Sequence, residues 1–389
     1  MRVVKALILI ILLFTFQLHS VIPMYYGARS LSLGYSSSAY NYDINSLYLN
    51  PGLLSGFGYF ITGYQNQSEF SSYKGFGEIL GELLDNNIQN FDILGMNDRE
   101  EIHDRLKEIF NSKHGMYGFT SNSAGAAFKR YGFAISKINT AIINPERTSV
   151  LDTETTEITQ EAINGLNLSF IGLSYTQYSV SYSLDFTKEI SAGVTMHYLS
   201  GSVTRFLNPL INGEFNSSSN EKDYLKHGWS GAEDNFGKIL IDFSVSASLS
   251  AIFKAALILK NYRNPVLETD QGDIILEQRT IAAVSFKPDQ KTGIYLDLDL
   301  KKTDLYLNGE EVQPVSLGVE RSFFNGNFFV RLGIMSDLTE KYLFGSKGKL
   351  LYGFGLGIYI KKVLIDAGIG IGGDGRVSSF AVSGFFIVK

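Results

Sequence analysis

The sequence predicts an all-β fold, a 14-stranded antiparallel β-barrel that crosses a membrane. From residue 56 onward, fourteen segments alternate apolar and polar residues, which is the period of a strand with one oily and one polar face. The connections between these segments alternate between long and short, as in up-and-down membrane barrels. Beyond the N-terminal region no stretch approaches 18 consecutive apolar residues, so helices cannot provide the crossing.

Residues 1–20 are typical of a cleaved signal peptide. Arg2 and Lys5 form a positive start, and the run from Ala6 to Phe16 is apolar apart from Thr15. A membrane helix needs roughly 20 apolar residues, so this length disfavours the alternative of a retained anchor. The expected mature chain divides into an N-terminal region, 21–55, and a barrel, 56–389.

Composition excludes several classes of protein. The 389 residues contain no cysteine, which excludes disulfide scaffolds, thiolate metal sites, cysteine nucleophiles and an acylated lipoprotein cysteine. Acidic residues outnumber basic ones by 39 to 34, and loss of the signal peptide makes the chain more acidic still. This balance argues against nucleic acid as a partner.

One segment near the middle shows the strand pattern most clearly. Between 294 and 300, Ile294 and Leu296 share one face, while Asp297 and Asp299 share the other with Tyr295. The predicted strands are 57–66, 123–129, 131–143, 166–184, 190–206, 238–249, 251–262, 278–287, 291–301, 313–323, 327–336, 349–360, 362–371 and 376–388.

The connections predict the orientation of the barrel. Those after strands 2, 4, 6, 8, 10 and 12 are short, and those after strands 1, 3, 5, 7, 9 and 11 are longer. An even strand number places both termini on one side, the periplasm, so the long connections point outward. Pro145 and Pro209 are placed in these connections, because a proline in a central strand deletes a hydrogen bond.

The longest connection predicts a helical extracellular insertion at about 76–112. Its apolar residues repeat at helical spacing, and Asp98 and Glu101 form a capping box for the second helix. Two interpretations remain open. The apolar faces either pack only on each other and on the barrel rim, or they form a surface where an apolar ligand first docks, with candidate residues Leu83, Leu84, Leu106 and Phe110.

A motif before the barrel resembles the N-terminal hatch of the FadL-like outer-membrane proteins. The chain reads GARSLSLG from Gly27 to Gly34, a polar stretch that includes Asp43, and then NPGL from Asn50. The family pattern is G-A-R-x-x-x-x-G followed by N-P-A-x-L, so Gly52 replaces an alanine. The resemblance implies a plug inside the barrel, with hatch residues Gly27, Arg29, Gly34, Asp43, Asn50, Pro51 and Gly52.

Elementary geometry is compatible with that plug. Pro51 fixes one backbone angle and biases Asn50 toward an extended form, while Gly34 and Gly52 permit turns that other residues resist. The alternative is that 27–55 is only a structured lead-in to the first strand.

The resemblance also implies a function and a location. Members of this superfamily include transporters of long-chain fatty acids and aromatic hydrocarbons in the outer membrane of Gram-negative cells. The expected function is therefore passage of hydrophobic, fatty-acid-like small molecules, with outer-membrane lipids as surroundings. The oligomeric state does not follow from the sequence.

A second branch of the superfamily gives the alternative. The segments 165–203 and 279–330 look closer to its PorV-type and TraF-like members, which implies a protein-binding component of a secretion or conjugal-transfer system. A transporter should have a continuous apolar cavity above its hatch. A docking protein should have a sealed lumen and exposed aromatic loop tips such as Trp229 and Phe236.

The sequence predicts neither an enzyme, nor a cofactor, nor a metal centre. His197 shares an inward face with Ser191 and Thr195, but no signature of a serine hydrolase accompanies it, and a hydrogen-bonded histidine in the lumen is expected. Asp297 and Asp299 either bind a cation or pair with lumen lysines. By strand phase, other charged residues also point inward, and they either pair among themselves or form a selective ion path: Asp242, Lys254, Lys260, Arg331 and Asp366.

Overall fold

The computed structural model describes residues 27–40, 43–72, 116–146, 167–209, 234–268, 273–303, 311–339, 350–372 and 377–388. Several sequence predictions lie outside these residues. They are the signal peptide, the helical insertion at 76–112 with its four candidate docking residues, and Trp229.

Fourteen strands close into one antiparallel barrel, as predicted. The first strand pairs with the last in the register Phe60 to Val388, which seals the cylinder. In chain order the strands are β1 (Phe57–Ser72), β2 (Met116–Lys129), β3 (Tyr131–Glu146), β4 (Asn167–Asp185), β5 (Ile190–Pro209), β6 (Asp234–Ser248), β7 (Phe253–Lys260), β8 (Val266–Leu267), β9 (Ile274–Ile275), β10 (Arg279–Phe286), β11 (Thr292–Asp299), β12 (Pro314–Phe323), β13 (Phe328–Asp337), β14 (Leu350–Ile360), β15 (Val363–Gly372) and β16 (Val377–Val388). Among the strands of the described residues, β8 and β9 alone stand apart from the barrel, as a two-stranded hairpin.

The two faces of the barrel wall differ sharply. On β4 the outward Tyr178 and Val180 are exposed, whereas Ser179 and Ser181 between them are buried. Large apolar side chains cover the outside of the other strands in the same way, for example Ile239, Leu332 and Ile365. This exterior matches the hydrocarbon core of a bilayer, and the polar face is turned inward. No helix among the described residues has the length and apolarity needed to span a membrane.

The links between barrel strands define two ends of the cylinder. The links after β2, β4, β6, β10, β12 and β14 are tight; β2 and β3, for example, are joined by Arg130 alone. The end of the cylinder where these links lie is called the short-turn end. The opposite end, where 73–115, 147–166 and 210–233 connect strands, is called the long-loop end. The predicted alternation of link lengths is thus confirmed.

Two predicted boundaries were wrong at the long-loop end. Strand β1 continues to Ser72 and β2 begins at Met116, with these two residues paired. Gln67 and Glu69 lie beyond the predicted end of the first strand at residue 66, but their side chains, like that of Gln65, are buried inside the lumen.

The placement of two prolines was also wrong. Pro145 pairs within β3 and Pro209 ends β5, because these two strands extend further toward the long-loop end than their apolar pattern does. Both prolines lie at strand ends, where a missing backbone donor costs least.

The hairpin of β8 and β9 was not predicted. It lies in the link between β7 and β10, at the long-loop end, and pairs Val266 with Ile275. Its Leu267, Ile274 and Leu276 pack against inward-facing residues of the barrel wall. Two residue pairs are too few to produce a recognisable strand period.

An N-terminal segment, residues 27–40 and 43–56, lies inside the barrel. It contains helix α1 (Gly27–Ser32), the single turn α2 (Ser46–Leu49) and a 3-10 helix (Pro51–Gly56) that leads directly into β1. Every residue of both α-helices is buried. Helix α1 packs on β13 to β16 and β1, and the 3-10 helix packs on the opposite wall against β4, β5 and β6.

Candidate functional site

The inward faces of β2 to β6 change from apolar to polar at one level of the lumen. Along β4, Leu173 and Tyr175 near the long-loop end give way to Gln177, Ser179 and Ser181 toward the short-turn end. The same change occurs on the neighbouring strands, so the apolar residues form one continuous surface. We call it the apolar wall; it consists of Phe119, Ile138, Ile142, Leu173, Tyr175, Leu199, Val203, Phe236 and Leu240.

The apolar wall is tightly packed and covered in part by the hairpin. Each of its side chains is at most 8 % exposed, and Leu267, Ile274 and Leu276 of the hairpin belong to the same cluster. Phe236 packs its ring at 6.3 Å from that of Tyr175. Phe236 is therefore part of the lumen lining, and the expectation of an exposed aromatic loop tip at this position was wrong.

The polar rows below the apolar wall hold the N-terminal segment through its backbone. Thr195 of β5 donates its hydroxyl to the Leu47 carbonyl oxygen at 2.9 Å. Ser191 donates to the Gly52 carbonyl oxygen at 2.7 Å, and the Gly52 amide donates to Ser244 Oγ at 2.8 Å. Lumen serines thus replace water as partners for backbone groups that would otherwise be buried without one.

Two side chains of the segment add to this anchorage. Asn50 donates Nδ2 to Ser246 Oγ at 2.9 Å and to the Ser38 carbonyl at 2.8 Å. The hydroxyls of Tyr48 and Ser136 lie 2.8 Å apart. The second half of the hatch motif therefore sits on the wall formed by β3 to β6.

The first half of the motif is held by charge on the opposite wall. Arg29 is fully buried, donates Nε and Nη2 to the Glu320 carboxylate at 3.1 and 3.3 Å, and donates Nη1 to the Tyr40 carbonyl. Arg331 donates Nε to the same carboxylate at 2.6 Å and Nη1 to Asp366 at 2.6 Å. A carboxylate between two guanidinium groups compensates both buried cations.

Asp43 lies in the lumen near the same charges. Its Oδ1 accepts the Asn45 amide at 2.7 Å. Burial raises the pKa of this carboxyl to about 6, against the opposing effect of Arg29. Asp43 is therefore a group of the N-terminal segment that titrates near neutral pH.

Glycines on the inner wall let the backbone of α1 approach closely. A Cβ added at Gly333 would lie 2.0 Å from the Leu33 carbonyl carbon, and one at Gly353 would lie 2.3 Å from the Leu31 carbonyl oxygen. On the segment itself, Gly27 and Gly34 adopt left-handed backbone with φ of 61° and 60°. Glycine is required at these four positions by contact or by conformation.

His197 lies at the centre of a polar cluster in the lumen, as predicted. Its Nδ1 is 2.8 Å from Ser179 Oγ, and its Nε2 is 3.0 Å from Asp242 Oδ2. Lys260 also donates to Asp242 at 2.8 Å, and the ring of Tyr48 stacks on the imidazole at 6.4 Å. The serine, histidine and carboxylate are in contact, but the carboxylate is held by a lysine and the imidazole is 3 % exposed beneath the N-terminal segment.

Two further inward carboxylates are hydrogen-bonded within the lumen. Asp299 accepts from Arg279 Nε at 2.5 Å and Nη2 at 3.0 Å, while Asp297 accepts the Ser38 amide at 3.0 Å. The predicted pairing with lysines was wrong here, because the cation on the neighbouring strand is an arginine. Among the described residues no group of three or more histidine and carboxylate side chains is arranged to hold a metal ion.

The lumen thus brings the seven predicted hatch residues into one segment with two attachments. Gly27 meets β1, Arg29 and Gly34 meet β12 and β13, and Asn50 to Gly52 meet β4 to β6. Sequence reasoning missed the partner Glu320, although its inward phase next to the exposed Val319 marks it as a lumen carboxylate.

Comparison with known proteins shows which solved structures share the fold of this chain. No protein-family model and no curated protein matches the chain. Among solved structures it is similar to the P. putida toluene transporter TodX, with a TM-score of 0.53, 12% identity, and 94% of this chain and 98% of that chain covered. It is also similar to the CymD monoaromatic hydrocarbon channel, with a TM-score of 0.53, 11% identity, and 93% of this chain and 97% of that chain covered. The Ralstonia pickettii toluene transporter TbuX is similar with a TM-score of 0.51, 11% identity, and 94% of this chain and 98% of that chain covered. At these identities the likeness establishes a shared barrel fold.

Proposed function

We propose that this protein is an outer-membrane channel for hydrophobic small molecules. The observation that carries the proposal is the apolar wall, which lines the long-loop half of the lumen directly above a polar, plugged half. A barrel that conducts only water or ions has no use for nine inward apolar residues, because such a pore is lined with polar groups. The shared fold with toluene and monoaromatic hydrocarbon channels supports the same function.

The proposed route runs from the long-loop end inward. An apolar solute leaves the outer surface, where Leu83, Leu84, Leu106 and Phe110 are the proposed first contacts, and moves onto the apolar wall. Contact with apolar side chains offsets the loss of its previous apolar surroundings. The N-terminal segment acts as the hatch that the solute must pass.

The hatch is proposed to rearrange at one attachment and to remain fixed at the other. The β12–β16 attachment combines a buried ion network with close backbone contact at glycines. The β4–β6 attachment consists of neutral hydrogen bonds from serine, threonine and asparagine. Neutral hydrogen bonds are the weaker class, so the second attachment is expected to open first.

The alternative of a protein-binding component in secretion or conjugal transfer loses one argument. Phe236, a proposed contact for a protein partner, packs on Tyr175 inside the lumen. The packing of the apolar wall, with every side chain at most 8 % exposed, is by contrast what a sealed lumen would show.

A pair of neighbouring substitutions tests the proposal. Leu240→Trp fills space at the apolar wall, whereas Ile239→Trp changes the adjacent residue, which is 56 % exposed on the outside. We expect L240W to lower uptake of radiolabelled toluene into a host strain that lacks its own hydrophobic-solute channels, and I239W to leave uptake unchanged. Resistance of the folded barrel to unfolding in SDS controls for folding. Equal uptake in both folded variants would contradict passage along the apolar wall.

A further inference from the structure

Basic residues are concentrated in one sector of the short-turn end. The links β10–β11, β12–β13 and β14–β15 follow one another around the barrel, because β11 pairs with β12 and β13 pairs with β14. In or directly beside these links lie four exposed cations, which we call the basic rim: Lys291, Arg321, Lys361 and Lys362. Lys287 also belongs to the β10–β11 link, but its Nζ lies 3.5 Å from the Tyr40 ring centroid, toward the N-terminal segment.

The charges of the basic rim are not compensated within the barrel wall. The one acidic residue of these links, Asp289, is engaged by its own turn, where its carboxylate accepts the amides of Lys291 and Thr292 at 2.6 Å each. Arg321 donates Nη1 to the neutral hydroxyl of Thr292 at 3.1 Å. Among the described carboxylates, none lies within ion-pair distance of a residue of the basic rim. Such a surface attracts an anionic partner.

The other short links carry less net charge. Around the β2–β3 and β4–β5 links, three cations are accompanied by Asp185 and Glu189, and Arg130 pairs with Asp185 at 3.2 Å. The link between β6 and β7, residues 249–252, contains no charged residue. The uncompensated positive charge is therefore a property of the β10 to β15 sector.

The basic rim lies at the edge of the lipid-facing surface. Arg321 lies between Val319 and Phe323 on the outward face of β12, and both of these apolar side chains are exposed. The Arg321 guanidinium carbon is 6.0 Å from the Phe323 ring centroid. The lysine pair of the β14–β15 link is likewise flanked by exposed Ile360 and Val363. Cations that border the apolar band of a barrel lie at the level of the lipid headgroups.

The β12–β13 link presents an aromatic side chain beside these cations. Phe324 is 78 % exposed, and its backbone has a left-handed φ of 50°, which bulky residues rarely adopt. Its ring packs against that of Phe328 at 6.4 Å. Aromatic residues form girdles where membrane barrels meet the headgroup region. An exposed phenylalanine at a strained turn thus supports contact of this sector with a lipid interface.

We infer that the basic rim binds the headgroups of anionic phospholipids. Lysine and arginine form charge-assisted hydrogen bonds with phosphate oxygens, and each basic residue near an anionic lipid surface strengthens binding by about 5-fold. The short-turn end is predicted to face the periplasm, so the lipids belong to the periplasmic leaflet. A soluble acidic protein fits less well, because Arg321 shares its strand face with apolar residues that the bilayer covers. The inference is independent of whether a solute passes through the lumen.

A competition between two lipids tests the inference. The full-length protein in detergent is mixed with equal amounts of phosphatidylglycerol and phosphatidylethanolamine that have the same acyl chains, and the lipids retained on the protein are counted by native mass spectrometry. The wild type is compared with Lys361→Gln/Lys362→Gln. The matched control is Lys301→Gln/Lys302→Gln, a second pair of adjacent lysines that follows β11 at the long-loop end. Resistance of each barrel to unfolding in SDS controls for folding.

We expect the wild type to retain phosphatidylglycerol in preference to phosphatidylethanolamine. K361Q/K362Q should lower the ratio of the two retained lipids by about 5-fold or more, and K301Q/K302Q should leave it unchanged. An equal fall in both variants would assign the preference to net charge and overturn the inference. Equal retention of the two lipids by the wild type would also overturn it, in favour of an acidic protein as the partner of the basic rim.

Discussion

Arg29 of α1 and Glu320 of β12 are 291 residues apart in the sequence, and their side chains meet at 3.1 Å in the lumen. Glu320 also accepts from Arg331, so one carboxylate links the N-terminal segment to the barrel wall. This carboxylate contributes much of the stability of the attachment, because its removal leaves two buried guanidinium groups without a sufficient counter-charge.

Glu320→Gln should therefore weaken the attachment of the hatch. We expect a loss of roughly 3–5 kcal/mol in the free energy of unfolding, together with faster protease cleavage within the N-terminal segment. Arg321→Gln, at the neighbouring exposed position, is the control and should change the free energy by less than about 0.5 kcal/mol. Equal protease resistance of the two variants would show that the ion network does not hold the segment.

Asp43 should make stability depend on pH. Burial raises its pKa from 3.8 to about 6, so the folded protein binds this proton more tightly than the unfolded chain does. The associated stability is fully present below pH 4 and is lost as the pH rises to about 6, by about 3 kcal/mol at most. Guanidinium unfolding in detergent micelles should show this fall in the wild type.

Asp43→Asn isolates that contribution. The variant keeps an oxygen that can accept the Asn45 amide but cannot titrate. The difference in unfolding free energy between wild type and D43N should change between pH 4 and pH 6 and be constant above pH 7. If the difference in unfolding free energy between wild type and D43N does not depend on pH, the pH dependence of the wild-type stability comes from other carboxyl groups.

Gly333→Ala tests the close approach of the hatch to the wall. The new methyl group would overlap the Leu33 carbonyl carbon and the Gly34 amide nitrogen, at 2.0 and 2.1 Å, and backbone atoms cannot move aside as a flexible side chain can. We expect destabilisation of about 1–3 kcal/mol and displacement of α1, measured by unfolding and by hydrogen exchange of its amides. Gly384→Ala is the control, because nothing lies within 4 Å of its added Cβ. Unaltered hydrogen exchange of the α1 amides would argue against close packing of the N-terminal segment on the barrel wall at Gly333.

The proposed docking surface in 76–112 calls for a variant that keeps the loop length. Replacement of Leu83, Leu84, Leu106 and Phe110 by serine should reduce toluene uptake at low external concentration, because the apolar first contacts are lost. Deletion of 76–112 should have at least the same effect. Wild-type uptake by both variants would remove these residues from the route.

The strand period was sufficient to predict the barrel but not what fills it. Alternation in β4 and β11 follows directly from one face meeting lipid and the other the lumen, so fourteen strands could be recognised. The ends of β1 and β2 could not, because Gln67 and Glu69 beyond the predicted end of β1 are polar for another reason: they face the N-terminal segment. The amide of Gly27, for example, donates to Gln67 Oε1 at 3.1 Å.

The candidate site was predictable in part. The hatch residues were proposed from a family resemblance, and their role stays a prediction. The inward phase of Asp242, Arg331 and Asp366 followed from the strand period, and the structure confirms that all three are buried. The pairing of Arg29 with Glu320 depends on where a non-repetitive segment settles within a closed cylinder, which no local pattern encodes. The apolar wall, by contrast, is visible along β4 once Leu173 and Tyr175 are compared with the serines that follow.

The junction at Gly56, where the 3-10 helix passes into β1, has a mechanical consequence. β1 also forms the closing seam with β16. The N-terminal segment is therefore tied through the chain to the strand that closes the cylinder, so any displacement of its Pro51–Gly56 end pulls directly on the first residues of the closing seam.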